Sequence, residues 1–133
     1  MKYVKILLVI ACLGSITGFY LYNKPVKSTA AKSADLGIRS EDLFNEFAKD
    51  ENKANAKYLD KIISISGVVT NIAVEDGLNI VTLKTASDMF GVICKIEADD
   101  VKVKTLKTGD EIKIKGVCTG MLMDVVMVRC VIE

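Results

Sequence analysis

A chain of 133 residues is long enough for one domain and a smaller accessory segment, but not for two independent cores. Half of it is apolar and its mean hydropathy of +0.32 is high for a soluble domain, while the formal charge is only +1. It contains neither histidine nor tryptophan, which excludes Ser–His–Asp and Cys–His nucleophile systems, His-ligated metals and the histidine pH switch.

The apolar excess is concentrated at the start, where Ile6 to Tyr22 runs 17 residues without a charge. A transmembrane helix needs about 17–25 residues, and counted from Val4 the segment is just long enough. Phe19, Tyr20 and Tyr22, followed by Lys24, match a helix reaching the headgroup layer, and Pro25 discourages its continuation. An uncleaved anchor over residues 1–25 is the expectation. Two alternatives remain. Val9-Ile10-Ala11-Cys12 has a lipobox pattern that would make Cys12 a lipid-attachment site, although only Ile6 to Ala11 precede it, short for an h-region of about 7–15 residues. A cleaved signal would have to use the Ser/Thr/Ala run from Ser28 to Ala31. The flanking lysines do not decide orientation, because Lys2 and Lys5 precede the span and Lys24, Lys27 and Lys32 follow it.

Residues 26–39 turn to Ser, Thr, Ala, Lys and Gly without apolar periodicity and read as a tether. Residues 40–133 are expected to form the folded domain. Ser40 looks like an N-cap with Glu41 and Asp42 in the first turn. Leu43, Phe44, Phe47 and Ala54 then give the apolar stripe of one helix from Glu41 to Lys57. Lys49, Lys53 and Lys57 line another face, read as solvated and relieved by Glu46 and Asp50.

From Lys61 onward the pattern alternates. Strands are expected over Lys61–Val74, with Gly67 marking a bend, then Asn79–Thr85, Phe90–Glu97, Glu111–Met121 and Asp124–Ile132. Asp76-Gly77 supplies a tight hairpin turn. A helical turn is expected between Ala98 and Leu106. The fold class is therefore mainly β: a five-stranded OB-fold Greek-key barrel preceded by an α-helix and an N-terminal transmembrane helix. Alternation puts Val92, Cys94 and Ile96 inside, then Ile112, Ile114, Gly116 and Cys118, then Val126, Val128, Cys130 and Ile132. Lys95, Glu97, Lys113, Lys115 and Arg129 point out.

Several of these residues carry a family resemblance. Tyr58-Leu59-Asp60-Lys61 leading into Ser66-Gly67-Val68-Val69 resembles the bacterial OB-fold family named tRNA_anti-like. So do Gly109-Asp110, the run Gly116 to Gly120 with Leu122 and Asp124, and the closing Cys130-Val131-Ile132. The anchor ending Tyr22-Asn23-Lys24-Pro25 also fits that family. The resemblance implies an OB barrel and brings no activity and no catalytic residues. A signal-anchor this close to the start usually leaves the amino terminus inside and the domain outside, so the expectation is a single-pass bacterial inner-membrane protein with its domain in the periplasm, or, through Cys12, a lipoprotein.

Nucleic acid is the partner such a fold invites, but single-strand binders need a basic groove and exposed rings. From Ser28 onward fourteen Lys and Arg face seventeen Asp and Glu, a charge of −3, and only Tyr58 and Phe90 lie near the barrel. Nucleic acid is thereby disfavoured, and the expected partners are the membrane and an unidentified protein. Lys84, Lys95 and Arg129 are candidates for a shallow basic binding spot. Ile80, Ile93, Val125, Met127 and Val131 should form an outward apolar partner face, which the stripe of Leu43, Phe44 and Phe47 could cover. Cys94, Cys118 and Cys130 are spaced by 24 and 12 residues, against a zinc or Cys-x-x-Cys site. They read as buried thiols, or as one disulfide, Cys94–Cys130 or Cys118–Cys130. No metal-ligand set, cofactor motif or activated nucleophile is present; Met121, Met123 and Met127 read as filler rather than copper ligands. A binding module, not an enzyme, is expected.

Overall fold

The computed structural model describes residues 1–22 and 29–133. Helix α1 (Lys2–Tyr22) is apolar all round and exposed from Lys2 to Tyr20, the stretch long and apolar enough to cross a membrane. Phe19 and Tyr20 lie exposed near its end as expected. Lys24 and Pro25 fall outside the described residues.

The stretch expected as a tether ends in structure. After a short 3₁₀ turn over Thr29–Ala31, strand β1 (Leu36–Arg39) pairs in parallel with β2 (Ile62–Glu75), Leu36 opposite Ile63 and Arg39 opposite Ser66. Four residues with a glycine among them are too few for alternation to show. The expected single helix is two: α2 (Ser40–Lys49) and α3 (Glu51–Tyr58). Asp50 breaks them with extended dihedrals, its N–H still bonded to the Glu46 carbonyl and its side chain accepting the Lys53 N–H at 3.1 Å. Ser40 is not the N-cap. It is already helical, and its hydroxyl donates to the Lys84 carbonyl at 2.6 Å, tying the helix start to the end of the second barrel strand. Gly67 makes room, since a Cβ there would lie 2.3 Å from Ser40 Oγ.

Strands β2, β3 (Leu78–Leu83), β4 (Val92–Glu97), β5 (Glu111–Met121) and β6 (Val125–Ile132) close a barrel in the order β2-β3-β4-β6-β5-β2. Only β4 and β6 run parallel within it. This is the OB arrangement. β2 is long because it serves two neighbours within the barrel besides β1: Ile62–Val68 pair with β5, and Val69–Glu75 with β3 past a bulge at Thr70. The Asp76-Gly77 turn has positive φ at both residues, 49° and 76°, the form a two-residue hairpin prefers.

The stripe of Leu43, Phe44 and Phe47 does not cover an outer face. It joins Ile63, Ile65, Leu83 and Met127 in the barrel's own core, each fully buried aliphatic or aromatic side chain contributing about 1.5–3 kcal/mol. Tyr58 closes that layer at 1% exposure, 6.1 Å from the Phe47 ring. Its hydroxyl donates to Glu46 Oε2 at 2.9 Å, and Lys57 Nζ donates to both Glu46 oxygens at 3.1 and 2.9 Å. Lys53 meets Asp50 at 3.8 Å, so Lys53 and Lys57 of the lysine stripe are relieved by the acids expected, and Lys49 lies exposed without such an ion pair among the described residues.

Those bonds, from Lys57 first and Tyr58 after it, hold the Glu46 carboxyl below its ordinary value of 4.5. A carboxylate with a depressed folded pKa stabilises the fold fully above its ordinary value and loses that contribution as pH falls through the folded one. The thermal midpoint of the native chain should therefore exceed that of Glu46→Gln by a constant margin above pH 4.5. The margin should shrink on further acidification. A margin that held unchanged through the acid range would rule the linkage out.

Candidate functional site

The expected basic spot is not assembled. Lys84 follows β3 in a small cleft with Thr85, Ser87, Asp88 and Phe90. Lys95 lies on the outer face of β4, and Arg129 lines a third cleft with Lys32, Asp35, Asp60 and Lys61. The three cations serve three separate concavities.

The apolar partner face is also redrawn. Ile80 points outward opposite Lys95 and is nonetheless only 7% exposed, and Ile93, opposite Thr82 and Val126, is half-buried. Val125 and Met127 are corrected: both are fully buried in the core. The cause is a bulge in β6. Cys94 pairs with Met127 and Ile96 with Cys130, so two residues on β4 span three on β6; the same slip occurs against β5. Arg129 sits in it with φ 51°, a conformation costing a non-glycine residue about 1–2 kcal/mol. The extra residue inverts the alternation. Cys130 stays inside, whereas Val126 and Val128, expected inside, are half-exposed, and Val131 is half-buried beside Lys115. Lys115, expected on the outer face, is only 9% exposed. Nearby, the carboxyl of Glu133 is held down by the Ser64 hydroxyl and then by Lys113 and Lys115.

Cys94, Cys118 and Cys130 are free thiols, so neither expected disulfide is formed. Cys94 and Cys130 adjoin, and a hydrogen bond between them together with burial pushes the Cys94 thiol up; burial alone leads for Cys118. Groups held protonated in a core are inert. Cys12 is exposed on α1. Among the described residues no three His, Cys, Asp or Glu side chains gather as a ligand set.

What the fold does bring together lies under the β5–β6 hairpin. A cleft of about 560 Å³ is lined by Leu59, Lys95, Met121, Leu122 and Val126, with Glu51, Asn55, Thr119 and Gly120. Leu122 is 93% exposed, Met123 65% and Leu59 40%. In an OB fold the second and third barrel strands and this last hairpin form the ligand face, and Lys95 stands on it. Leu59 was not anticipated, because only the tertiary fold carries the end of α3 to within 3.6 Å of the position a Cβ on Gly120 would take. The run Met121-Leu122-Met123 in a tight turn was a usable signal, since turns are ordinarily polar. Phe44, Phe47 and Tyr58 are buried and Phe90 packs partly against the core, so among the described residues the barrel presents no exposed ring.

Comparison with known proteins places this geometry. The sequence profile described as tRNA_anti-like matches residues 1–132. Among solved structures, one from Klebsiella pneumoniae described as a nucleic acid-binding lipoprotein superposes with a TM-score of 0.63 at 17% identity, covering 83% of this chain and 99% of that one. The Stn1–Ten1 complex of S. pombe gives 0.42 at 17% identity over 50% of this chain and 52% of that one. An aspartyl-tRNA synthetase of Leishmania major gives 0.48 at 14% identity over 90% of this chain and 25% of that one. No curated protein matches the sequence significantly. The first of these likenesses supports the OB architecture; at such identities it speaks to the fold alone.

Proposed function

Since the chain belongs to the tRNA_anti-like family, we propose that it is a membrane-tethered OB-fold binding module of the bacterial envelope that holds a protein partner and performs no catalysis. Helix α1 supplies the tether, with the amino terminus inside and the barrel in the periplasm. Lipidation at Cys12 is the competing mode of attachment. The carrying observation is the character of the hairpin cleft, where exposed Leu59 and Leu122 stand beside exposed Glu51 and Thr119, with one lysine and no aromatic ring in the lining. Exposed apolar side chains grouped beside polar ones suit a protein surface.

Nucleic acid is the second reading, favoured by the description of the Klebsiella relative. It would need cations on one face and stacking rings, while the three candidate cations here are dispersed. The full chain in detergent should bind a fluorescent single-stranded DNA or RNA no more tightly than about 10⁻⁴ M at physiological salt. Tighter binding that weakens steeply with added salt would establish the nucleic-acid reading instead. A photo-crosslinking residue at Leu122 should capture a partner in intact cells, and the same residue at Lys104 should not. Leu122→Asp should abolish competition for that partner while leaving the melting temperature unaltered, because the side chain is 93% exposed. Equal capture from both positions would count against the cleft.

A further inference from the structure

The barrel is closed, but the sheet is not. β1 pairs with β2 alone, and among the described residues no strand lies on its other edge. A strand paired on one side turns alternate N–H and C=O groups to the other, where they can template a further strand. Along that edge runs a groove of about 470 Å³, lined by Leu36, Gly37 and Ile38 and walled by Asp42, Asn45, Glu46 and Lys49 of α2. Three consecutive strand residues line it and none from β2 does, so the groove follows the backbone edge rather than either face of the sheet. The wall residues fall at i, i+3, i+4 and i+7, one face of the helix. Gly37 has no internal reason to be glycine: its φ is not positive, and a Cβ there would meet only the Ser64 carbonyl oxygen at 4.0 Å. A glycine inside a strand often marks a place where another backbone comes close.

We propose that this groove takes an extended peptide segment of another protein, added to β1 as a further strand between β1 and α2. The wall specifies its charge. Glu46 is engaged by Lys57 and Tyr58. Asp42 and Lys49 are exposed and belong to none of the ion pairs formed among the described residues. Seven residues of helix separate them by about 10 Å. Side chains on one face of an extended segment recur every second residue, about 7 Å apart at two positions and about 13 Å at four. With the reach of the Asp42 and Lys49 side chains, the fitting segment carries a basic and an acidic side chain four positions apart, both on the face turned to the helix. A second copy of this chain is the poorer occupant, because its β1 edge stands behind its own α2 and cannot enter a groove of the same width.

The test uses the full chain in detergent micelles and three synthetic capped hexapeptides: Lys-Val-Thr-Val-Glu-Thr, the same peptide with serine for both charged residues, and the same peptide with proline for the central threonine and valine. The charged peptide should bind, the serine peptide about tenfold more weakly, and the proline peptide not detectably. In hydrogen exchange, the amides of Leu36–Arg39 that do not face β2 should slow about tenfold or more with the charged peptide. Asn45→Trp, which fills the groove from an exposed position, should abolish binding with the melting temperature retained. Equal binding of all three peptides, no binding of any, or unaltered exchange in Leu36–Arg39 would overturn the proposal. Protection of those amides that rises with protein concentration alone would assign the edge to a second copy. The inference extends the reading as a binding module without resting on the hairpin cleft, so failure here and loss of crosslinking at Leu122 are separate results.

Discussion

Replacing Gly116 with alanine is expected to destabilise the chain by about 3 kcal/mol, a large share of the roughly 5–15 kcal/mol that holds a domain together. A Cβ at this position would lie 2.5 Å from Cys130 Sγ, 3.2 Å from the Val128 carbonyl oxygen and 3.3 Å from Cys130 Cα. Two of these atoms are backbone, and the sulfur is fully enclosed in the core. Relief by side-chain rotation is therefore closed off. The site is also where β5 and β6 slip register, so Gly116 and the bulge at Arg129 form one device: the extra residue in β6 swings Cys130 into the space a side chain on β5 would fill. Urea unfolding of Gly116→Ala, Cys130→Ala and the double variant measures this. The double variant should be more stable than the sum of the single losses by about 1 kcal/mol, because removing the sulfur removes the tightest contact. Strict additivity would show that the sulfur is not the obstacle.

Tyr58→Ala should cost about 3–5 kcal/mol, the largest loss expected from truncating one side chain. The ring is 1% exposed and lies against Phe47, and its hydroxyl donates to Glu46. Both helices depend on it, since α3 reaches the barrel through Tyr58 and Ala54. Tyr58→Phe keeps the ring and removes one hydrogen bond, and should cost about 1 kcal/mol because Lys57 still holds the Glu46 carboxylate. Chemical denaturation separates the contributions: if Phe and Ala were equally damaging, the hydroxyl rather than the packed ring would be the principal contact.

How much of this was legible before folding differs from element to element. Val92, Cys94 and Ile96 alternate without interruption, and all three are buried as the alternation implied. Asp76-Gly77 announced its turn because few residue pairs tolerate two positive φ angles. The same alternation misplaced Val125 and Met127, since a bulge at an arginine has no sequence mark of the kind a glycine leaves. One helix became two because Asp50 could serve as a helix residue or a cap, and only packing chose between them. The expected basic spot failed for a different reason. Lys84, Lys95 and Arg129 share an outward character but sit on strands and ends that diverge around a closed barrel.

The sequence by itself determined the apolar first helix, the five strands of the barrel and the chemistries that missing histidine removes. These depend on composition and local periodicity, which each segment carries alone. The tertiary structure alone decided that residues expected as a tether contribute an open-edged strand, that the helix stripe enters the core, and that Leu59 meets the tip of a distant hairpin. Such facts concern neighbours far apart in the chain, and they follow from register and closure rather than from any one segment's preference. Both surfaces proposed to bind a partner belong to this second class.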